Sequence, residues 1–276
     1  MLSLTEAEHH ETRDLMAAIA REAGNQPYDT RFLSRAELRD LLPGVGAGVV
    51  SACYSPYDGH ANPLYLLRAL HSGIAAFGGR YLANHAVQEI RASEKGVTVA
   101  TPAGTYRAPR AVIAAGLATR ELARQVGLEA PIEPSHGQIM VTERTTDRVP
   151  LPTNLVRQTR EGSMMLGYTV DDFGFDIRTR IDRSRNVAAG ALKAFPFLRD
   201  LRVVRTWAAL RVMTADGVPI YDRSVSHAGV TVTACHSGVT LAAAHALEVA
   251  PWIAGAPMPA MLERFSTRRF HVPTAA

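Results

Sequence analysis

Only two cysteines, Cys53 and Cys235, occur in 276 residues. They stand far apart, and neither belongs to a CxxC pair or to any metal-ligand spacing. A disulfide framework and a structural zinc site are therefore excluded as organising devices, and no metal is expected. Both cysteines sit in apolar, strand-like runs, where buried free thiols are the expectation. No run of about 18 apolar residues occurs, which excludes an ordinary transmembrane helix. The opening residues, MLSLTEAEHHETRDL, have no basic segment followed by an apolar one and do not read as a secretory signal. A cytoplasmic location is the expectation. A GxGxxG dinucleotide fingerprint is missing as well. GVGAG at Gly44–Gly48 is no substitute, because it follows a helix stop at Pro43 rather than a strand. No acidic residue ends a second strand about 20 residues further on, as that motif requires.

Long runs of one charge are also missing. The net charge is +4 and the isoelectric point about 9.3, but the basic residues are scattered. The local cluster Arg178, Arg180, Arg183, Arg185 alternates with Asp176 and Asp182, which reads as a solvated face and excludes a nucleic-acid patch. What is present is an ordinary globular balance, 47% hydrophobic and 20% charged, on a chain long enough for one large or two modest domains.

Local signals predict interleaved helices and strands. Helices are expected over Thr5–Ala23 (Thr5 and Glu8 as a capping box), Ser34–Leu42, Pro63–Phe77, Ala118–Val126, Ser184–Ala194 and Val239–Ile253. Strands are expected over Val49–Tyr54, Tyr81–Asn84, Ala86–Ala92, Gly96–Thr101, Ala108–Ala115, Gly137–Thr142, Val203–Leu210 and Gly229–Ala234. Leu155–Arg160 and Ser163–Tyr168 are expected to form a hairpin. This pattern predicts α/β combined with α+β, in two interlocked lobes.

Three segments carry possible chemistry. In GVTVTACHSGVTLAAAHALEVA, a strand runs through a tight polar turn into a small-residue helix. The N–H groups of Ser237–Thr240 would then sit at a helix N-terminus, which suits an anion or an electron-rich carbonyl; taken alone, a plain strand–turn–helix with an unoccupied cap is the simpler reading. In WAALRVMTADGVPIY, Arg211 stands in an apolar context. It suits bidentate capture of a carboxylate, or alternatively a structural ion pair, with Asp216 a candidate partner. In APRAVIAAGLATRELA, a buried strand ends at Ala115-Gly116, where small residues allow a ligand to lie against the backbone; a tight strand–helix junction is the plainer alternative.

The order and spacing of these segments resemble the FAD-dependent D-amino-acid oxidase superfamily, which includes glycine oxidase, sarcosine oxidase and the flavin subunits of opine oxidases and bacterial cyanide synthase. DGHANPLYLLRAL, AVIAAGLAT, PSHGQIMVTE, EGSMMLGYT, AALRVMTADGVPI and CHSGVTLA each resemble a family segment, and together they span nearly the whole chain. The resemblance implies a discontinuous, Rossmann-like FAD-binding domain, partial here, over 57–125 and 229–276. It implies a substrate domain with a large mixed or antiparallel sheet over 1–56 and 126–228. It further implies oxidation of an amine C–N bond by hydride transfer to flavin N5, with FAD held non-covalently. Carried over by position, Arg211 would hold the substrate carboxylate. His236, Ser237, Gly238, Val239 and Thr240 would line the pyrimidine side of the flavin, Ala115 and Gly116 would lie along the FAD, and Val87 would fall on the strand that meets adenine.

There are departures. The proline that follows the family's arginine is Val212 here, and the family's substrate tyrosine falls at Leu155. No cysteine lies between Trp207 and Asp222, so sarcosine-oxidase-type covalent attachment is not supported. Without the fingerprint, the chain reads as the C-terminal two-thirds of such an enzyme, truncated at its N-terminus. The alternative is a non-catalytic remnant or partner subunit that binds no flavin alone. An amino-acid-like small molecule is the expected substrate. The opine-oxidase-like terminal turn points to a hetero-oligomer partner or an electron-acceptor protein.

Overall fold

A computed structural model describes residues 1–24, 29–167, 169–227 and 229–270. In chain order the elements are β1 (Leu2–Ser3), α1 (Glu6–Ala23), β2 (Arg31–Phe32), α2 (Arg35–Leu41), β3 (Ser51–Tyr54), α3 (Pro63–Ala76), β4 (Glu89–Ser93), β5 (Gly96–Thr101), β6 (Gly104–Ala108) and β7 (Ala111–Ile113). There follow α4 (Thr119–Arg124), β8 (Ile132–Arg144), β9 (Val156–Gln158), β10 (Ser163–Leu166), α5 (Ile181–Ala194), β11 (Val203–Thr214), β12 (Ile220–Arg223), β13 (Val230–Ala234), α6 (Ala242–Ala244), α7 (Ala250–Ala254) and α8 (Ala260–Glu263). The fold is mixed α/β with several antiparallel sheets, in line with the sequence.

The helix starts follow from side-chain chemistry. Ser34 accepts from the Glu37 N–H, and the Glu37 carboxylate accepts in turn from the Ser34 N–H at 2.8 Å, a complete capping box. Hydrogen bonds to the carboxylate from the Ser34 N–H, the Ser34 side chain and Arg31 pull the Glu37 carboxyl down to about 2. At α1 only half of the expected box forms. Thr5 accepts from the Glu8 N–H at 3.2 Å, while the Glu8 carboxylate turns to the Leu4 N–H. Asn62 accepts from the N–H groups of Leu64 and Tyr65 and Pro63 occupies the first helical position, so α3 begins where expected.

The chain divides into two compact units. Unit 1 comprises Met1–Gly79, His136–Asp171 and Asp176–Ala209. It contains the small sheet β1–β3–β2 and the four-stranded sheet β11–β8–β10–β9. Its core joins Leu38, Leu42, Met140, Val156, Met164, Leu166, Val187 and Phe195. Gly46 closes the GVGAG loop against α5. Its N–H donates to the Ala194 carbonyl at 2.7 Å, and a Cβ there would lie 2.5 Å from the Lys193 carbonyl oxygen. This glycine therefore serves close helix packing.

Unit 2 comprises Arg80–Ser135, Asp172–Phe175 and Leu210–Ala276. It holds the antiparallel meander β4–β5–β6 and the sheet β12–β13–β7, in which β13 and β7 run parallel with Val232 opposite Ile113. Ile90, Val97, Ile113, Leu122, Val126, Ile220, Val230 and Val232 share its main core. A smaller core gathers Tyr221, Val249, Trp252 and Leu262.

Several expected boundaries moved. Tyr81–Asn84 is a turn, with Asn84 at φ 61°, a left-handed conformation that Asn tolerates better than most residues. The strand expected from Ala86 starts at Glu89, that from Ala108 shortens to Ala111–Ile113, and that from Val203 runs on to Thr214. The hairpin forms as Val156–Gln158 with Ser163–Leu166; Tyr168, at its expected end, lies outside the described residues. The helix expected from Val239 starts at Ala242 and carries a π-helical turn over His245–Val249. Pro251 follows that turn, and its ring cannot sit against a regular i−4 carbonyl; the wider turn accommodates it. No helix among the described residues is long and apolar enough to cross a membrane, and no described group of three His, Cys, Asp or Glu could hold a metal ion.

Candidate functional site

Parallel pairing decides where the first candidate residues meet. Because β13 and β7 run in the same direction, their carboxyl ends emerge at one edge of the sheet. Ala115-Gly116 leaves β7 there and Cys235-His236 leaves β13 there, at the edge where open α/β sheets bind ligands. Gly116 has φ +59°, and Val212 lies 3.6 Å from the place its Cβ would take. Arg211 precedes Val212 on β11 and is half-buried. Asp216, the candidate ion-pair partner of Arg211, is taken by Arg269, whose Nε lies 2.6 Å from Oδ2 and Nη2 3.1 Å from Oδ1. That hydrogen bond from Arg269 holds the Asp216 carboxyl below its usual range.

The turn itself is open. His236, Ser237, Gly238, Val239 and Thr240 are all exposed, as are Ala242 and Ala243 behind them. The Leu241 N–H donates to the Ser237 carbonyl at 3.0 Å and the Ala242 N–H to that of Val239 at 3.3 Å. Among the described residues, the N–H groups of Ser237, Gly238, Val239 and Thr240 have no protein acceptor. They belong to exposed residues ahead of a helical run, so their partial positive charge is available to an electron-rich group. Val87 stands elsewhere in unit 2, exposed on the loop before β4 and thus at the start of the other sheet.

Sequence reasoning missed what braces this turn. The Tyr221 hydroxyl meets His245 Nε2 at 2.8 Å, and the two rings pack edge to face. Cys235 Sγ approaches the same nitrogen at 3.9 Å. The strand before the turn and the helix after it are thereby pinned to β12. Burial pushes the Tyr221 phenol up to about 12 and the Cys235 thiol up as well. No local motif announces a pair 24 residues apart. Also missed was a cavity of about 780 Å³ within unit 1, whose arginines come from β9, the β9–β10 turn and β11.

The comparisons with known proteins agree on one family. A family model described as FAD dependent oxidoreductase matches residues 1–252. A subunit of opine oxidase from Agrobacterium tumefaciens (strain Ach5) is 41% identical over 273 residues, 99% of this chain and 74% of that relative. Among solved structures, glycine oxidase from Geobacillus kaustophilus superposes with a TM-score of 0.82 at 24% identity, over 95% of this chain and 72% of that one. L-proline dehydrogenase from P. horikoshii superposes with a TM-score of 0.84 at 22% identity, over 95% and 74%. The fold is thus shared well beyond the level of sequence identity, and the chain belongs to the DAO family of FAD-dependent oxidoreductases.

Proposed function

We propose that this chain takes part in oxidation of the C–N bond of an amino acid or related secondary amine. FAD, when bound, supplies the hydride acceptor. The observation that carries this reading is the shared carboxyl edge of β13 and β7, where N–H groups without protein acceptors stand beside small residues. These residues fit the ring end of a flavin. Ser237–Thr240 would hold the ring's pyrimidine carbonyl, with His236 at the mouth of the turn. Exposed Ala242 and Ala243 would permit close approach, Ala115 and Gly116 would lie along the cofactor, and Val87 would meet its adenine end. The corresponding division assigns 57–125 and 229–276 to cofactor binding and 1–56 with 126–228 to the substrate.

In this reading Arg211 orients the substrate by its carboxylate. Its fork offers two parallel N–H donors, which limits the rotation of the amino acid and holds its Cα–H in line for transfer. The turn's N–H groups stabilise negative charge without reorganising. No strong general base is required if the amine binds neutral. The opine oxidase relative is named as one subunit of its enzyme, which supports operation beside a partner chain. An electron-acceptor protein would serve the same role as oxygen.

The test is reconstitution of the full chain with FAD, followed by anaerobic titration with amino acids and secondary amines while the flavin's visible band is watched for bleaching. Arg211→Ala should raise KM by roughly a hundredfold, since a bidentate pair to a charged group is worth about 3 kcal/mol. An unchanged KM would remove Arg211 from the carboxylate role, and absence of any flavin uptake would favour the non-catalytic partner reading.

A further inference from the structure

Tyr221 is 2% exposed and lies in the small core of unit 2 with Val249, Trp252 and Leu262. A phenol buried this deeply must find a partner for its hydroxyl, whereas phenylalanine would fill the same space without that need. The partner is His245 Nε2, 2.8 Å away. Phe265 packs edge to face on the Tyr221 ring, and its carbonyl accepts from the Tyr221 N–H at 3.0 Å, so the phenol is held in one direction. The π-helical turn over His245–Val249 sets the other member of the pair. It winds about one residue more than a regular helix and so rotates His245 by roughly 100° relative to Trp252. Such turns are concentrated at functional sites.

His245 also holds both ends of the exposed turn. Its N–H donates to the Leu241 carbonyl at 2.9 Å, and the Leu241 N–H donates to the Ser237 carbonyl at 3.0 Å, so residues 237–241 stand on His245 as one helical stack. On the strand side, Cys235 Sγ lies 3.9 Å from His245 Nε2. One imidazole nitrogen is thus shared between the phenol of β12 and the last residue before the turn. The phenol, held at about 12, keeps its proton throughout the neutral range. For stability alone the pair adds little, because two apolar side chains of similar shape would hold β12 against the helix with no polar group to satisfy. What the hydrogen bond adds over apolar packing is direction.

We propose that Tyr221 and His245 are positioning residues for the cofactor, fixing the direction in which the N–H groups of Ser237–Thr240 meet the flavin ring. They act through the turn rather than on the ring. The proposal rests on the reading that gives this turn to the ring's pyrimidine carbonyl. Preorganised donors matter most where negative charge grows, so the pair favours the reduced ring over the oxidised one. A turn out of place therefore lowers both the affinity for FAD and the flavin's reduction potential.

The experiment uses the full chain and three readouts: hydrogen exchange at the Leu241, Ala242 and His245 amides without flavin, FAD affinity by fluorescence quenching, and the reduction potential of the bound flavin. Tyr221→Phe and His245→Ala should each speed exchange, weaken FAD binding roughly fivefold, the scale of one neutral hydrogen bond, and lower the potential. His245→Gln keeps a hydrogen-bonding partner for the phenol and should recover part of all three. Tyr221→Phe combined with His245→Leu should keep the thermal stability of the wild type, because both polar groups leave together, and should still show the lower affinity and potential. That variant separates positioning from structural support. Val239→Pro removes one N–H from the turn, at a place where a first helical turn tolerates proline, and tests the underlying reading. Flavin properties that move in Val239→Pro but not in the Tyr221 and His245 variants would overturn the proposal and keep the reading. Flavin properties that recover with thermal stability in the combined variant would also overturn it. Flavin properties unmoved by any of these variants, or a wild-type chain that takes up no FAD, would sink the reading and the proposal with it.

Discussion

Asp222 on β12 offers a sharp test of how unit 2 is held. Its Oδ2 accepts from the Thr267 N–H at 2.8 Å, from the Ser266 hydroxyl at 2.9 Å and from the Thr267 hydroxyl at 2.5 Å, while Oδ1 accepts from the Arg223 N–H at 2.7 Å. One half-buried carboxylate therefore anchors the segment that follows α8, and Thr267 is only 4% exposed. Asp222→Ala removes hydrogen bonds to a charged acceptor, worth about 1.5–3 kcal/mol each, and leaves the Thr267 N–H and hydroxyl buried without partners. These terms overlap, so a loss of about 3–5 kcal/mol is expected, or roughly 10 °C in Tm for a chain of this size. Asp222→Asn keeps an acceptor but not the charge and should lose about 1–2 kcal/mol. Thermal unfolding followed by circular dichroism measures the global effect, and hydrogen exchange at the Thr267 amide measures the local one. A loss under about 1 kcal/mol with unchanged Thr267 protection would refute the assignment. The pH dependence adds a second handle. Burial alone would raise this carboxyl, but the hydrogen bonds from Thr267, Ser266 and the Arg223 N–H outweigh it and its pKa is lowered. Its contribution is accordingly present above the unfolded value of about 3.9 and is lost as pH falls through the lower folded value. The gap between wild type and Asp222→Ala should close only in that acid range.

Three further outcomes are expected. Gly46→Ala should destabilise unit 1 by about 2–3 kcal/mol in denaturant melts, because the new Cβ would press on the Lys193 carbonyl and strain the Gly46–Ala194 hydrogen bond. Tyr221→Phe should lose about 1 kcal/mol with its hydrogen bond to His245, and should abolish the latest phenol in an alkaline absorbance titration, the one held at about 12. Burial raises both Cys53 and Cys235, so iodoacetamide should alkylate each slowly at neutral pH and far faster in urea; rapid labelling of the folded chain would contradict their placement.

Caps and turn residues are short-range devices, and these the sequence carried openly. Ser34 with Glu37, and Asn62 with Pro63, begin α2 and α3 at the expected residues. The small residues flanking β7 and β13 marked both ends of the candidate cofactor edge, and the ordered family-like segments pointed to flavin chemistry. Propensity misled where exposure decided. Tyr81–Asn84 has strand-like residues but no partner strand among the described residues and a left-handed Asn84.

The sequence by itself determined the family, the local elements and the residue types available for chemistry, because these depend on spacing along the chain. Only the tertiary structure decided which of them meet. Parallel pairing of β7 with β13 brought Gly116 and His236 to one edge across more than a hundred residues. Sheet pairing and the β9–β10 turn gathered Arg157, Arg160 and Arg205 around one cavity with no Asp or Glu among its described lining residues. Asp216, which sequence proximity offered to Arg211, went instead to Arg269, 53 residues away. Charges respond to distance through space, and that distance is set by strand register and core packing rather than by position in the chain.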